Sequence, residues 1–140
     1  MVDEDLAING GTPIRKDLLP FASPVIGDAE VEEVSNTLRS GWLTTGSQTA
    51  EFEDAICSTV GSRAAVGTTN CTSAIYLAHR ALGVEGEVIT TPMTFATTVS
   101  SSIMAEAAPV LADVREDTLT LHPESVKEAI TDETEAILHV

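Results

Sequence analysis

Apolar residues in this chain recur three and four apart in its first half and in short unbroken runs in its second. Between 28 and 40, Val31, Val34 and Leu38 share one helical face among acidic neighbours, which predicts an amphipathic helix stopped by Gly41. Phe52, Ile56 and Val60 lie four apart and predict a second helix over 48–60, stopped by Gly61. A loop, Gly41-Trp42-Leu43-Thr44-Thr45-Gly46, joins the two, and an irregular opening with a Gly10-Gly11-Thr12-Pro13 turn precedes them.

From Gly61 onward the pattern alternates. Apolar runs predict strands near 63–68, 87–90, 109–114 and 135–140, with helices over 73–82, 95–106 and 123–131 between them. Pro109 and Pro123 open their elements, where proline is tolerated. Repeated strand–helix–strand units imply an α/β fold, a three-layer, mostly parallel sheet flanked by helices. Ligands in such sheets bind beyond the carboxyl ends of strands, where the loops 69–72 and 91–94 fall. The final apolar strand has no helix after it to cover it, so the chain reads as cut short.

The first of those loops carries the strongest chemical signal. Thr69-Asn70-Cys71-Thr72-Ser73-Ala74 turns a strand-like run into a helix through small polar residues. The first backbone N–H groups of a helix lack intrahelical partners, and the helix dipole adds partial positive charge there, so the turn suits a phosphate. Ser and Thr in the same place are also ordinary helix caps.

Charge narrows the partners. Twenty-two acidic residues against seven basic ones give a net charge of −15, which argues against nucleic acid and against an anionic membrane. No apolar run reaches the roughly 18 residues of a membrane span, and the acidic N-terminus is unlike a secretory signal. Cys57 and Cys71 have neither metal-ligand spacing nor a disulfide framework, so no metal site is expected and a cytoplasmic location is. Only Lys16 and Lys127 are lysines, and an acidic, lysine-poor surface fits a protein adapted to concentrated salt.

With the loops placed, three ordered motifs resemble the N-terminal part of the DegT/StrS family of sugar aminotransferases dependent on pyridoxal 5'-phosphate, which have the aspartate-aminotransferase (fold type I) architecture. They are Ser40–Gly46 followed by Glu51-Phe52-Glu53, the run from Val66 through Leu82, and the run from Glu87 to Thr97. The resemblance implies that Thr72 and Ser73 hold the cofactor phosphate, with Cys71 beside them in place of the commoner glycine. It implies that Phe95 stacks on the pyridine ring, and that Trp42, Thr44, Thr45 and Gly46 lie near the substrate and the dimer contact. It divides the chain into an irregular segment, 1–27, and the N-terminal part of a large domain, 28–140. The complete enzyme would be a homodimer that moves an amino group from glutamate or glutamine to a keto group of a nucleotide-activated sugar. Asp113 and His122 carry no assignment, and His79 is expected at the surface or rim of its helix.

Transamination also needs a Schiff-base lysine and an acid on the pyridine nitrogen. In the family both come after the point matched by Val140, and neither Lys16 nor Lys127 follows a strand end, so the 140 residues are expected to be inactive alone. A dehydratase relative, which uses histidine in place of the lysine, and a non-catalytic module that binds phosphate or a protein partner remain alternative readings. The acidic surface carries its own test: thermal stability should rise as KCl is added, and a steady fall with salt would contradict adaptation to it.

Overall fold

The computed structural model describes residues 6–140, which form two compact units that divide after Gln48. The first holds a short 3-10 turn, Ala7–Asn9, closed by Gly10 at φ 98°, and helix α1, Asp28–Ser40. α1 begins where the Glu30 carboxylate accepts the Gly27 N–H at 2.7 Å, a bond that holds the Glu30 carboxyl below its ordinary value. Asp28 and Glu30 sit in its first turn and Arg39 in its last, complementing the helix dipole. It ends at Gly41, whose φ of 73° an L side chain rarely adopts.

Helix α2, Ser47–Val60, belongs to the second unit apart from its first two residues. Next come α3 (Cys71–Leu82), β1 (Glu87–Thr90), α4 (Ala96–Met104), β2 (Ala108–Leu111), α5 (Pro123–Ala129) and β3 (Thr134–Ile137). The three strands form a parallel sheet in the order β2-β1-β3. Along β1 successive side chains face opposite ways. Val88 packs with Val84 and Ala107 on one side, and Ile89 with Ala112 and Leu121 on the other, where Val126 and Ala129 of α5 close over it. α4 lies against β1, β2 and α3.

The strand expected near 63–68 does not form. Among the described residues no strand pairs with this segment, and Val66 is 80% exposed. Its polar groups turn to side chains instead: Gly67 N–H donates to Glu53 Oε1 at 2.7 Å, and Ser62 Oγ donates to the Ala64 carbonyl at 3.1 Å. The loop 69–72 therefore follows an irregular segment rather than a sheet strand, whereas the loop 91–94 does leave the carboxyl end of β1.

Smaller differences have local causes. β2 starts one residue early because Ala108 N–H donates to Gly86 O. Ala112 N–H also donates inward, to Thr90 O, so Pro109 turns its missing N–H to the open edge. β2 stops at Leu111, and Val114 makes an isolated antiparallel bridge to Leu121. α4 ends at Met104 because Glu106 takes φ 72°, with Glu106 N–H bonded to Ile103 O and Ala107 N–H to Ser102 O. That closure is a Schellman motif with glutamate where glycine is usual.

His79 is a clearer correction. It is 5% exposed, not at the rim, and its Nε2 lies 3.0 Å from Ser102 Oγ. Ser102 Oγ donates onward to the Thr98 carbonyl at 3.3 Å, so Nε2 of His79 is the donor to Ser102. The helical spacing of Tyr76, His79 and Arg80 did not reveal that α4 presents serines rather than bulky side chains to this face.

A carboxylate pins the turn before β1. Glu135 Oε2 accepts the N–H groups of Glu85 at 2.8 Å and Gly86 at 3.0 Å, and these bonds hold its carboxyl below the ordinary 4.5, Gly86 contributing most. The approach is close: a Cβ on Gly86 would lie 2.5 Å from the Glu133 carbonyl oxygen. A carboxyl lowered in the folded state stabilises the protein above its unfolded value, and that contribution is lost as pH falls through the folded one. Glu135→Gln should therefore lower the melting temperature at pH 7, and the gap from the parent chain should close as pH drops below the ordinary carboxylate value. A gap that persisted unchanged in acid would mean that the charge is irrelevant.

Candidate phosphate and ring site

α3 starts two residues earlier than the apolar spacing implies, at Cys71, because Asn70 caps it. Asn70 is extended, and its Oδ1 accepts the Ser73 N–H at 2.8 Å. Asparagine at this position typically contributes about 1 kcal/mol to a helix. The cap also decides which donors stay open. Ser73 N–H is used, while the N–H groups of Cys71 and Thr72 have no acceptor among the described residues. The Asn-x-x-Ser spacing of Asn70 and Ser73 is the trace of this cap in the sequence.

The hydroxyls complete the local arrangement. Ser73 Oγ lies 3.4 Å from Thr69 Oγ1, and Thr68 Oγ1 donates to the Asn70 carbonyl at 3.0 Å, which holds the turn in shape. Thr72 and Ser73 are half-buried and Cys71 is exposed. The result is a helix N-terminus with two open N–H groups and the Thr72 hydroxyl beside them. Such a donor set suits a phosphate oxygen.

The second loop is built on β1. Thr91 is fully buried and its Oγ1 accepts the Met93 N–H at 3.0 Å. Thr94 and Thr98 hydroxyls meet at 2.7 Å, and Thr98 N–H donates to the Phe95 carbonyl at 3.0 Å. Phe95 is thereby fixed as the N-cap of α4 rather than its first helical residue, with its ring 78% exposed. An exposed aromatic on a braced turn is a platform for a flat ring.

α3 follows the first loop and α4 the second, and the two helices are in contact. They pack side by side, and Ser101 Oγ of α4 donates to the Thr72 carbonyl at 3.2 Å. Ser101, Ser102, Thr98 and His79 are all buried, so this seam is lined by hydroxyls and an imidazole that satisfy one another. The sequence reading missed the seam, although the run Thr97-Thr98-Val99-Ser100-Ser101-Ser102 was its trace.

Trp42, Thr44, Thr45 and Gly46 belong to the first unit, where they make a self-contained loop. Trp42 Nε1 donates to the Thr45 carbonyl at 3.0 Å and Trp42 N–H to Ser40 Oγ at 3.1 Å. A Cβ on Gly46 would lie 2.5 Å from Trp42 Nε1, so the folded-back indole requires glycine there. Thr44 contributes backbone to the turn, and the Trp42 ring remains largely exposed.

Outside the seam, His122 and the acids near β2 are engaged in local structure. His122 Nδ1 accepts the Glu124 and Ser125 N–H groups and caps α5, and the Asp113 carboxylate accepts the Val114 N–H at 2.7 Å. Arg115 grips Asp117 through two hydrogen bonds, which holds the Asp117 carboxyl below its ordinary value. Among the described residues no group of His, Cys, Asp or Glu could hold a metal ion.

Comparison with known proteins places the chain in a family. The model of the DegT/DnrJ/EryC1/StrS aminotransferase family matches residues 24–140. The chain is 41% identical over 128 residues to the spore coat polysaccharide biosynthesis protein SpsC of Bacillus subtilis, covering 90% of this chain and 33% of SpsC. Among solved structures it resembles the apo form of Spr1654 of Streptococcus pneumoniae, assigned as a sugar aminotransferase, with a TM-score of 0.78 and 36% identity over 86% of this chain and 31% of that one. Spr1654 is also known in forms with pyridoxal phosphate and pyridoxamine phosphate. DesI, solved in the presence of its TDP-sugar product, gives a TM-score of 0.77 and 36% identity over 97% of this chain and 36% of that one. The chain thus spans about a third of the length of these relatives. Its fold is that of the fold type I aminotransferases, and the chain belongs to the DegT/DnrJ/EryC1/StrS aminotransferase family.

Proposed function

We propose that this chain is the N-terminal part of a pyridoxal-phosphate-dependent aminotransferase that acts on a keto group of a nucleotide-activated sugar, with glutamate or glutamine as amino donor. The observation that carries the reading is the pair of open N–H groups at the start of α3, braced against the helix that bears Phe95. Residues 28–140 then supply the cofactor-facing part of a large domain, and the complete enzyme works as a homodimer in the cytoplasm. No helix among the described residues is long and apolar enough to cross a membrane.

The residues present fit the cofactor. The Cys71 and Thr72 N–H groups and the Thr72 hydroxyl would hold its phosphate, with Ser73 supporting Thr72 through the turn. A dianion placed there meets the partial charge of the helix end, about half an elementary charge, in a chain otherwise strongly negative. Phe95 would cover the ring and keep water from one face of it. When bound, pyridoxal phosphate supplies an aldehyde that condenses with amines and a ring that accepts the electron pair left by a broken C–H bond. The loop of Trp42, Thr44, Thr45 and Gly46 would serve the substrate or the dimer contact.

The amine that anchors the cofactor is another matter. Lys127 is exposed on α5 and paired with Glu124 Oε1 at 2.7 Å, and Lys16 is exposed in the irregular part of the first unit. Neither lies at the carboxyl end of a strand, where the cofactor would sit. These 140 residues are therefore proposed to bind without turning over.

Two outcomes test this. Pyridoxamine 5'-phosphate, which does not condense with surface amines, should bind saturably in calorimetric titration. Thr72→Val should weaken it about tenfold, the loss of one good hydrogen bond to an anion, and Phe95→Ala about two- to tenfold, the usual range for one stacking contact. Absence of saturable binding would remove the reading. Separately, the chain incubated with pyridoxal phosphate, glutamate and a keto-sugar nucleotide should yield no amino sugar, and measurable product would show that an existing lysine suffices.

A further inference from the structure

On the reading that this chain binds pyridoxal phosphate, we infer that Ser101 is a positioning residue. Its bond to the Thr72 carbonyl holds Phe95 in register with the phosphate cradle. Ser101 is completely buried, and its hydroxyl donates to the Thr72 carbonyl at 3.2 Å. That bond is not needed to finish α3, because the groups a helix leaves unpaired at its start are N–H groups, not carbonyls. Nor does the position need a hydroxyl for packing, since alanine would fill it without a polar group to satisfy. What the bond does is join two helices, and it does so at the residue whose N–H and hydroxyl would hold the phosphate.

The geometry makes the join effective. Phe95 caps α4, and Ser101 lies six residues along the same helix, about 9 Å of rise. A helix of this length moves as one piece, so fixing Ser101 fixes Phe95. A second bond, His79 to Ser102, reaches the neighbouring residue of α4. Carbonyls point toward the C-terminus of α3, while side chains lean toward its N-terminus. Groups seven residues apart on α3 thereby converge on adjacent serines. The two bonds differ in what they touch: Ser101 reaches the cradle itself, whereas Ser102 reaches the far half of α3.

Inorganic phosphate needs only the start of α3. The whole cofactor needs the start of α3 and the ring platform at the correct separation. The test compares the two ligands on the 140-residue chain by calorimetric titration, with pyridoxamine 5'-phosphate as the cofactor probe and a thermal melt for every variant. Ser101→Ala should raise the dissociation constant for pyridoxamine 5'-phosphate about fivefold or more, as expected for one lost hydrogen bond, and leave that for inorganic phosphate within about twofold. Ser101→Thr, which keeps the hydroxyl, should restore the ratio; if it does not fold, Ser101→Cys, a weaker donor of similar size, should restore it in part. Ser102→Ala should lower the melting temperature and leave the ratio unchanged. Equal weakening of both ligands by Ser101→Ala, no weakening of either, or no rescue in a folded variant would overturn the positioning role while leaving the cofactor reading intact. Failure of the parent chain to bind the cofactor probe would instead remove that reading, and the positioning role with it.

Discussion

Pairing of β1 on both of its edges is the constraint on which the second unit depends. Four residues, Glu87–Thr90, hydrogen-bond to β2 on one side and β3 on the other, and three of them are completely buried. Val88 and Ile89 anchor the two apolar clusters, one to each face. Thr90 Oγ1 donates to the Leu138 carbonyl at 2.8 Å, and Leu138 N–H to Ile89 O. Because the strand is held on both edges, the turn that leaves it toward α4 starts from a fixed point.

The ligand end of the unit is organised by a different force. α3 and α4 meet through hydroxyls, a buried imidazole and a backbone carbonyl rather than through interlocking aliphatic chains. Hydrogen bonds of this kind contribute modestly to stability, about 1 kcal/mol each, but they are directional. A seam made of them specifies one register between two helices where an apolar seam would tolerate several. In a chain of net charge −15, the start of α3 keeps backbone N–H donors open at Cys71 and Thr72, because the Asn70 cap engages Ser73 instead.

Much of this was legible in the residues. α1 and β1 fall on the expected positions, since Gly41 and the Val88–Ile89 pair leave little freedom. Segment 63–68 was not legible as irregular, because Val66 and its neighbours have strand character and pairing is a property of the neighbours rather than of the segment. The end of α4 was hidden because glutamate, not glycine, takes the left-handed position at Glu106. His79 misled for a third reason. Polar residues on a helix read as solvent-facing unless the opposing helix is known to be polar, and the serines opposite it lie more than a turn of the chain away from anything its own spacing reports.

The order of the sheet has a bearing on how the polypeptide acquires its shape. β1 is central in space but earliest in sequence, and its bond from Thr90 to Leu138 spans 48 residues. Non-local parallel pairings of this kind close slowly, since the intervening chain must be ordered first. During synthesis β1 and β2 can associate once Leu111 has emerged, yet the second edge of β1 stays bare until β3 follows. Through that interval an apolar strand built on Val88 and Ile89 is open to any neighbouring chain, and the acidic surface around it, repelling other copies of itself, is what the nascent protein has to keep them apart.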